Sequence, residues 1–119
     1  MLQPQTDPEI GQPRNFLRAC LLLFLAEAPA HGYDLLEQVR GFGFEREPGT
    51  LYRALRALEH DGLVRSEWEA SLVGPDRRRY QLTDGGRDRL NLWVDHLGQS
   101  RTLLELFLHR HAAQSVAGI

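Results

Sequence analysis

Three consecutive arginines, Arg77-Arg78-Arg79, and a tyrosine with two arginines at helical spacing, Tyr52, Arg53 and Arg56, stand out in this 119-residue chain as side chains suited to a polyanion. Adjacent like charges repel, so stability does not account for the triplet, whereas a neighbouring row of phosphates does. All 14 cationic residues are arginine. Biased genomic composition also produces such a chain, but the chemistry still differs from that of lysine, because the planar guanidinium grips phosphate and guanine edges in two places. Charge is uneven along the chain. Residues 1–47 hold four arginines against seven acids, residues 48–90 eight against seven, and residues 91–119 two against two. With a net charge of −2, the protein is no general nucleic-acid coat, and binding to DNA would have to come from a local patch in the middle third.

Arrangements that perform enzyme chemistry are missing. His109 and His111 are two apart, which on a helix turns them ~200° from each other. His31, His60 and His96 fall on separate elements without a Glu-x-x-His companion. Gly41-x-Gly43 follows a helix and opens no phosphate-binding turn, so it is not a dinucleotide fingerprint. The single cysteine, Cys20, excludes an internal disulfide and a Cys-rich zinc site. It sits among leucines, a poor place for a nucleophile. The expectation is a non-enzyme without cofactor or metal. Arg14 and Arg18 precede an eight-residue apolar run, Ala19 to Ala26, followed by Ala26-Glu27-Ala28, which resembles a short signal segment. Apolar residues on nearly every side of that segment favour a buried helix instead. The chain is therefore expected in the cytoplasm, with Cys20 a small core side chain.

These residues need elements to hold them. Residues 1–13, with Pro4, Pro8, Gly11 and Pro13, read as a flexible arm. A first helix is expected over 14–27, with Asn15 as cap and Pro29 as stop. A second covers 33–40 and ends at Gly41-Phe42-Gly43. A third runs from Pro48 to His60, with proline in its first turn and Thr50 capping. Strands over 63–69 and 77–83, joined through Gly74-Pro75-Asp76, make a hairpin. Thr83-Asp84-Gly85-Gly86 caps a last helix to about 110. The predicted fold class is mainly α: a winged helix-turn-helix over 14–83, of three helices plus a two-stranded wing. A long C-terminal dimerisation helix over 84–111 and a tail over 112–119 follow.

On the third helix, Leu51, Ala54, Leu55 and Leu58 share one side, leaving Tyr52, Arg53, Arg56, Ala57 and His60 on the other. An amphipathic helix always has a solvated face, but this one fits a major groove, where arginine pairs with guanine edges or phosphates and the tyrosine hydroxyl reaches a phosphate. Strand alternation sends Arg77 and Arg79 to one face of the wing and Arg78 to the other. One of the three is expected to lie along the protein, paired with Glu67 or Glu69. Along the last helix Leu90, Trp93, Val94, Leu97, Leu104, Phe107 and Leu108 form a stripe, interrupted by Gly98 and Arg101. Three short helices look too small to cover this stripe and the first helix, which includes Phe16. Two copies packed through these helices form a symmetric homodimer. Such a dimer presents recognition helices roughly 34–36 Å apart to a pseudo-palindromic operator on double-stranded DNA. The competing reading is a winged helix used for protein contacts alone, without specific DNA binding.

In order and spacing, several segments resemble the PadR-like family of bacterial transcriptional regulators: His31-Gly32-Tyr33-Asp34-Leu35; Gly49-Thr50-Leu51-Tyr52-x-Ala54-Leu55-x-x-Leu58-Glu59-x-x-Gly62-Leu63; Gly74-Pro75 with Arg77-Arg78; and Tyr80-x-Leu82-Thr83-x-x-Gly86. The resemblance spans about 17–92. It implies a dimeric repressor whose third helix enters the major groove through Thr50, Tyr52, Arg53 and Arg56 and whose wing touches the backbone through Arg77, Arg78 and Arg79. It also implies release by a small aromatic or cationic effector, for which Trp93 and Leu97, beside Gly98, are the candidate contacts. Arg79 replaces the aromatic usual in the family, making this wing more basic. One helix stands where longer members carry a multi-helix C-terminal domain.

Overall fold

Leu21 and Leu22 from one helix, Leu35 and Val39 from the next, Leu51, Leu55 and Leu58 from a third, and Val64 from a strand meet in a single cluster almost wholly removed from water. They do so in a computed structural model that describes residues 15–43 and 47–117. The order is α1 (Phe16–Glu27), β1 (Ala30–His31), α2 (Gly32–Gly41), α3 (Pro48–His60), β2 (Val64–Glu69), β3 (Arg77–Leu82) and α4 (Asp84–Ala117). The expected arm over 1–13 lies outside the described residues. α1 is the hub, with α2, α3, β3 and α4 all packed around it.

The sheet has three antiparallel strands in the order β1-β3-β2, one more than the two-stranded wing expected. The added strand is two residues long, pairing Ala30 with Tyr80 and His31 with Arg79. No alternation can register over two residues. In the wing, Val64 faces Leu82, Ser66 faces Tyr80 and Trp68 faces Arg78, on the side toward α3. The opposite side carries Arg65, Glu67 and Glu69 against Gln81, Arg79 and Arg77.

Two expected caps differ. Asn15 takes a left-handed conformation (φ 62°) and makes no side-chain cap; its carbonyl accepts the Arg18 N–H at 3.0 Å. Thr50 lies inside α3, whose N-terminal neighbour is Glu47, and the Thr50 hydroxyl accepts from Arg53 Nη2 at 3.2 Å instead. Proline already supplies the first-turn geometry there, so a hydroxyl cap is not needed. Thr83 does cap: its Oγ1 accepts the Gly86 N–H at 3.0 Å and donates to the Gly62 carbonyl at 2.7 Å. At Gly86 any Cβ would overlap the Leu63 carbonyl oxygen, so only glycine lets α4 start this close to β2.

The helix α4 has 34 residues, about 51 Å at 1.5 Å per residue, and dominates the 67 Å long axis of the molecule. It runs unbroken through Gly98 and six residues past the expected end at 111, since no proline or glycine intervenes between Gly98 and Gly118. Its first turns cover α1, with Leu90 and Trp93 packed on the core beside Phe16 and Leu17. This corrects the expectation that α1 needs a second copy for cover. Six of its residues, Ala19, Cys20, Leu21, Leu22, Phe24 and Leu25, are buried within one chain. From Arg101 to Gln114 every α4 side chain is exposed.

Candidate nucleic-acid interface

The outer face of α3 is built as the periodicity implies. Leu51, Leu55 and Leu58 are buried, while Arg53, Arg56 and His60 face water. Tyr52 behaves differently from its wheel neighbours. Its ring lies on the backbone of Gly32, where a Cβ would stand 2.5 Å from Cε1 and 2.9 Å from the hydroxyl oxygen. The aromatic body is thus spent on joining α3 to α2, with the ring also packed on the core, and its polar end lines the cleft beside the wing. Arg53 is steadied by Thr50, whereas Arg56 has neither a hydrogen bond nor an ion pair among the described residues.

The three wing arginines separate. Arg77 is exposed and has no partner among the described residues. Arg79, half-buried, lies along the protein with Nε 3.8 Å from Glu69 Oε2, the pairing expected of one of the three. Glu69 also meets His31 Nε2 at 3.2 Å, and His31 Nδ1 stands 3.5 Å from Asp34. Arg78 points to the α3 side. Its guanidinium carbon sits 5.0 Å over the Trp68 ring, a cation–π contact, and its Nε donates to the Ser66 hydroxyl at 2.7 Å. Ser66 in turn donates from its hydroxyl to the Glu59 carboxylate at 2.8 Å and from its backbone N–H at 3.1 Å. Beyond Asp76 and Gly74 (φ +93°), Leu72 and Val73 stand in water at the wing tip.

Between α3 and the wing lies an open cleft of about 710 Å³, whose walls include Tyr52, Arg56, Arg77, Arg78 and Tyr80. Burial pushes the Tyr80 phenol above its usual range; Arg78 and Arg56 pull it down, while Glu59 and Tyr52 push it up. All four therefore lie within electrostatic reach of one buried hydroxyl. The nearby carboxylates are occupied, Glu59 by Ser66 and Asp76 by the Ser71 N–H at 3.3 Å. The cleft thus holds three arginines, Arg56, Arg77 and Arg78, against two carboxylates, Glu59 and Asp76, which leaves an excess of positive charge. Glu59, Ser66, Trp68 and Tyr80 were not singled out as site residues from sequence. Strand alternation places Ser66 and Trp68 on one face of β2, but only the register of β2 and β3 brings them to Arg78.

Residues 21–92 match the PadR-like family of transcriptional regulators. The chain belongs to that family. Over 81 residues it is 38% identical to transcriptional regulator Rv3488 of Mycobacterium tuberculosis, spanning 65% of this chain and 75% of that protein. The crystal structure of a PadR family transcription regulator from hypervirulent Clostridium difficile R20291 superposes with a TM-score of 0.74 at 25% identity, covering 79% of this chain and 99% of the other. Bacillus subtilis PadR shares the fold at a TM-score of 0.63 and 22% identity, with 69% of this chain matched to 48% of that one. Membership makes this chain a transcriptional regulator and not an enzyme.

The PadR-like chain presents its expected self-association residues in two groups. Phe16, Leu90 and Trp93 pack on their own core, and Leu97 is half-buried. Val94, Leu104, Phe107 and Leu108 are exposed, as are Leu92, Leu103 and Leu106, which fall outside the stripe drawn from sequence. Trp93 edges a shallow depression of about 220 Å³ with Arg89, Leu92 and His96; Leu97 is not among its walls. Cys20 is buried, and burial pushes its thiol up to about 11, so at neutral pH it is protonated and inert. Among the described residues no helix is long and apolar enough to cross a membrane, and no cluster of three or more His, Cys, Asp or Glu is placed to hold a metal ion.

Proposed function

We propose that this PadR-like protein is a homodimeric, sequence-specific DNA-binding repressor in the cytoplasm, released from its operator by a small aromatic or cationic effector. The observation that carries the reading is the cationic cleft between α3 and the wing, where Arg56, Arg77 and Arg78 outnumber the carboxylates of Glu59 and Asp76, with Arg53 exposed beside it on the outer face of α3. A protein that shares the fold, Bacillus subtilis PadR, is known in complex with operator DNA. In this assignment Arg53 reads base edges, and Arg56, Arg77, Arg78, Tyr52 and the first turn of α3 touch the backbone. Arg79, drawn to Glu69, contributes mainly field.

Self-association follows from α4. A helix with this many exposed leucines and a phenylalanine is unstable in water unless covered, and a two-fold partner offers the same surface in return. A dimer sitting across a promoter excludes other proteins from that DNA, which is repression by occupancy. An effector lodged near Trp93 and Leu97 would shift the spacing of the two recognition helices only through its different affinity for the two arrangements. Footprinting on the intergenic DNA beside the gene tests the whole reading. Two protected half-sites one helical turn apart are expected, with binding that falls steeply with salt. Binding to duplex DNA that changes little between low and moderate salt would overturn it.

A further inference from the structure

Arg56 and Glu59 are three apart on α3, the spacing at which an arginine and a glutamate ordinarily pair on a helix surface. They do not pair here. Both Glu59 carboxylate oxygens are drawn across to the wing, where the Ser66 hydroxyl lies 2.9 and 2.8 Å away and the Ser66 N–H 3.1 Å away. The single hydroxyl proton of Ser66 is committed to that carboxylate, so its oxygen is free to accept, and it accepts Arg78 Nε at 2.7 Å. Trp68 supports the same guanidinium from beneath at 5.0 Å. Arg78 is therefore fixed by one nitrogen and one face, its two Nη groups have no hydrogen-bond partner among the described residues, and both Arg78 and Arg56 line the cleft.

An arginine–glutamate pair on an exposed helix face stabilises little, so Glu59 turns to the stronger Ser66 hydrogen bonds and Arg56 is left without that partner. The Glu59 carboxylate instead orients Arg78 through Ser66. Fixing a side chain as rich in rotamers as arginine before binding removes an entropy cost that would otherwise fall on the complex.

Resting on the DNA-binding reading above, we propose that Glu59 and Ser66 are positioning residues that hold Arg78 so that it and Arg56 grip one backbone phosphate of DNA in the cleft between α3 and the wing. One phosphodiester held by both elements would set the angle between the helix in the groove and the wing beside it.

The test uses full-length protein with the footprinted operator as an isolated half-site, titrated at several salt concentrations. One phosphate contact accounts for a slope of about 0.9 in log affinity against log salt, or about eightfold in affinity at 0.1 M salt. Arg78→Ala and Arg56→Ala are each expected to lose roughly that much on every sequence. The double variant should lose about one phosphate's slope, not two, because both side chains hold the same group. Ser66→Ala should weaken binding at least threefold, and Ser66→Thr, which keeps the hydroxyl, should restore it.

A second readout needs no DNA: hydrogen exchange of the Arg78 Nε–H by NMR should be slow in the unaltered protein and in Ser66→Thr, and fast in Ser66→Ala. Equally fast exchange in all three proteins overturns the relay whatever the DNA result. Slow exchange with Ser66→Ala binding the duplex like the unaltered protein overturns the phosphate role and leaves DNA binding standing. Failure of the unaltered protein to bind any duplex, with the exchange pattern as expected, removes the DNA-binding reading and the phosphate role together while the relay survives.

Discussion

Phe107→Ala is the sharpest probe of self-association. Phe107 is 70% exposed in the single chain, on a stretch of α4 where no other element covers it. Complete burial of such a side chain contributes about 1.5–3 kcal/mol, so covering the exposed share contributes about 1–2 kcal/mol per copy. In a two-fold dimer each residue counts twice, so the substitution removes about 2–4 kcal/mol of association free energy, or about 30- to 1,000-fold in Kd. Sedimentation equilibrium over a wide dilution series reads this directly. Leu72→Ala is the control, because Leu72 is 105% exposed but sits on the wing tip; its removal should leave the dimer unchanged. A shift below about tenfold for Phe107→Ala would refute the reasoning, as would an equal shift for Leu72→Ala or an unaltered protein that is monomeric at every concentration.

The other expectations concern recognition, packing and ionisation. Arg53→Ala and Arg56→Ala are each expected to cost about 1–3 kcal/mol on the operator. Arg53→Ala should relax base preference, and Arg77→Ala should weaken all sequences about equally with a shallower salt slope; competition binding against scrambled duplex separates these outcomes. Gly86→Ala should destabilise the fold by about 1–3 kcal/mol or more in chemical denaturation, because the new Cβ meets the Leu63 carbonyl, which is backbone and cannot swing away. The native Cys20 thiol, held up to about 11 against an ordinary 9.0 by burial, should resist alkylation at pH 8–9 until the chain is unfolded. Since the unfolded chain gives up that proton first, stability should fall by about 1.4 kcal/mol per pH unit between pH 9 and 11. Denaturation across this range should show the decline reduced by that amount in Cys20→Ala.

Local order along the chain was enough to locate α1, α2, α3, the two wing strands and α4, and to say which side of α3 carries arginine. Apolar spacing of three and four, alternation of two, and the Thr83 cap are properties of neighbours in sequence, and they need no knowledge of the rest of the fold. The same local rules place Arg77 and Arg79 on one face of β3 and Arg78 on the other.

Only the folded chain decided what those side chains touch. The pairing of His31 with Arg79 joins residues 48 apart through a strand too short to signal itself. Tyr52 packs against Gly32, where α3 meets the start of α2. Glu59 turns from its helical neighbour Arg56 toward Ser66, since that residue offers it a backbone N–H and a side-chain hydroxyl together. Cover for α1 came from α4 of its own chain, which left the far half of α4 as the bare apolar surface. Periodicity says which face of an element is apolar. What covers that face, or which charge finds which partner, depends on contacts distant in sequence, and these exist only once the chain has closed on itself.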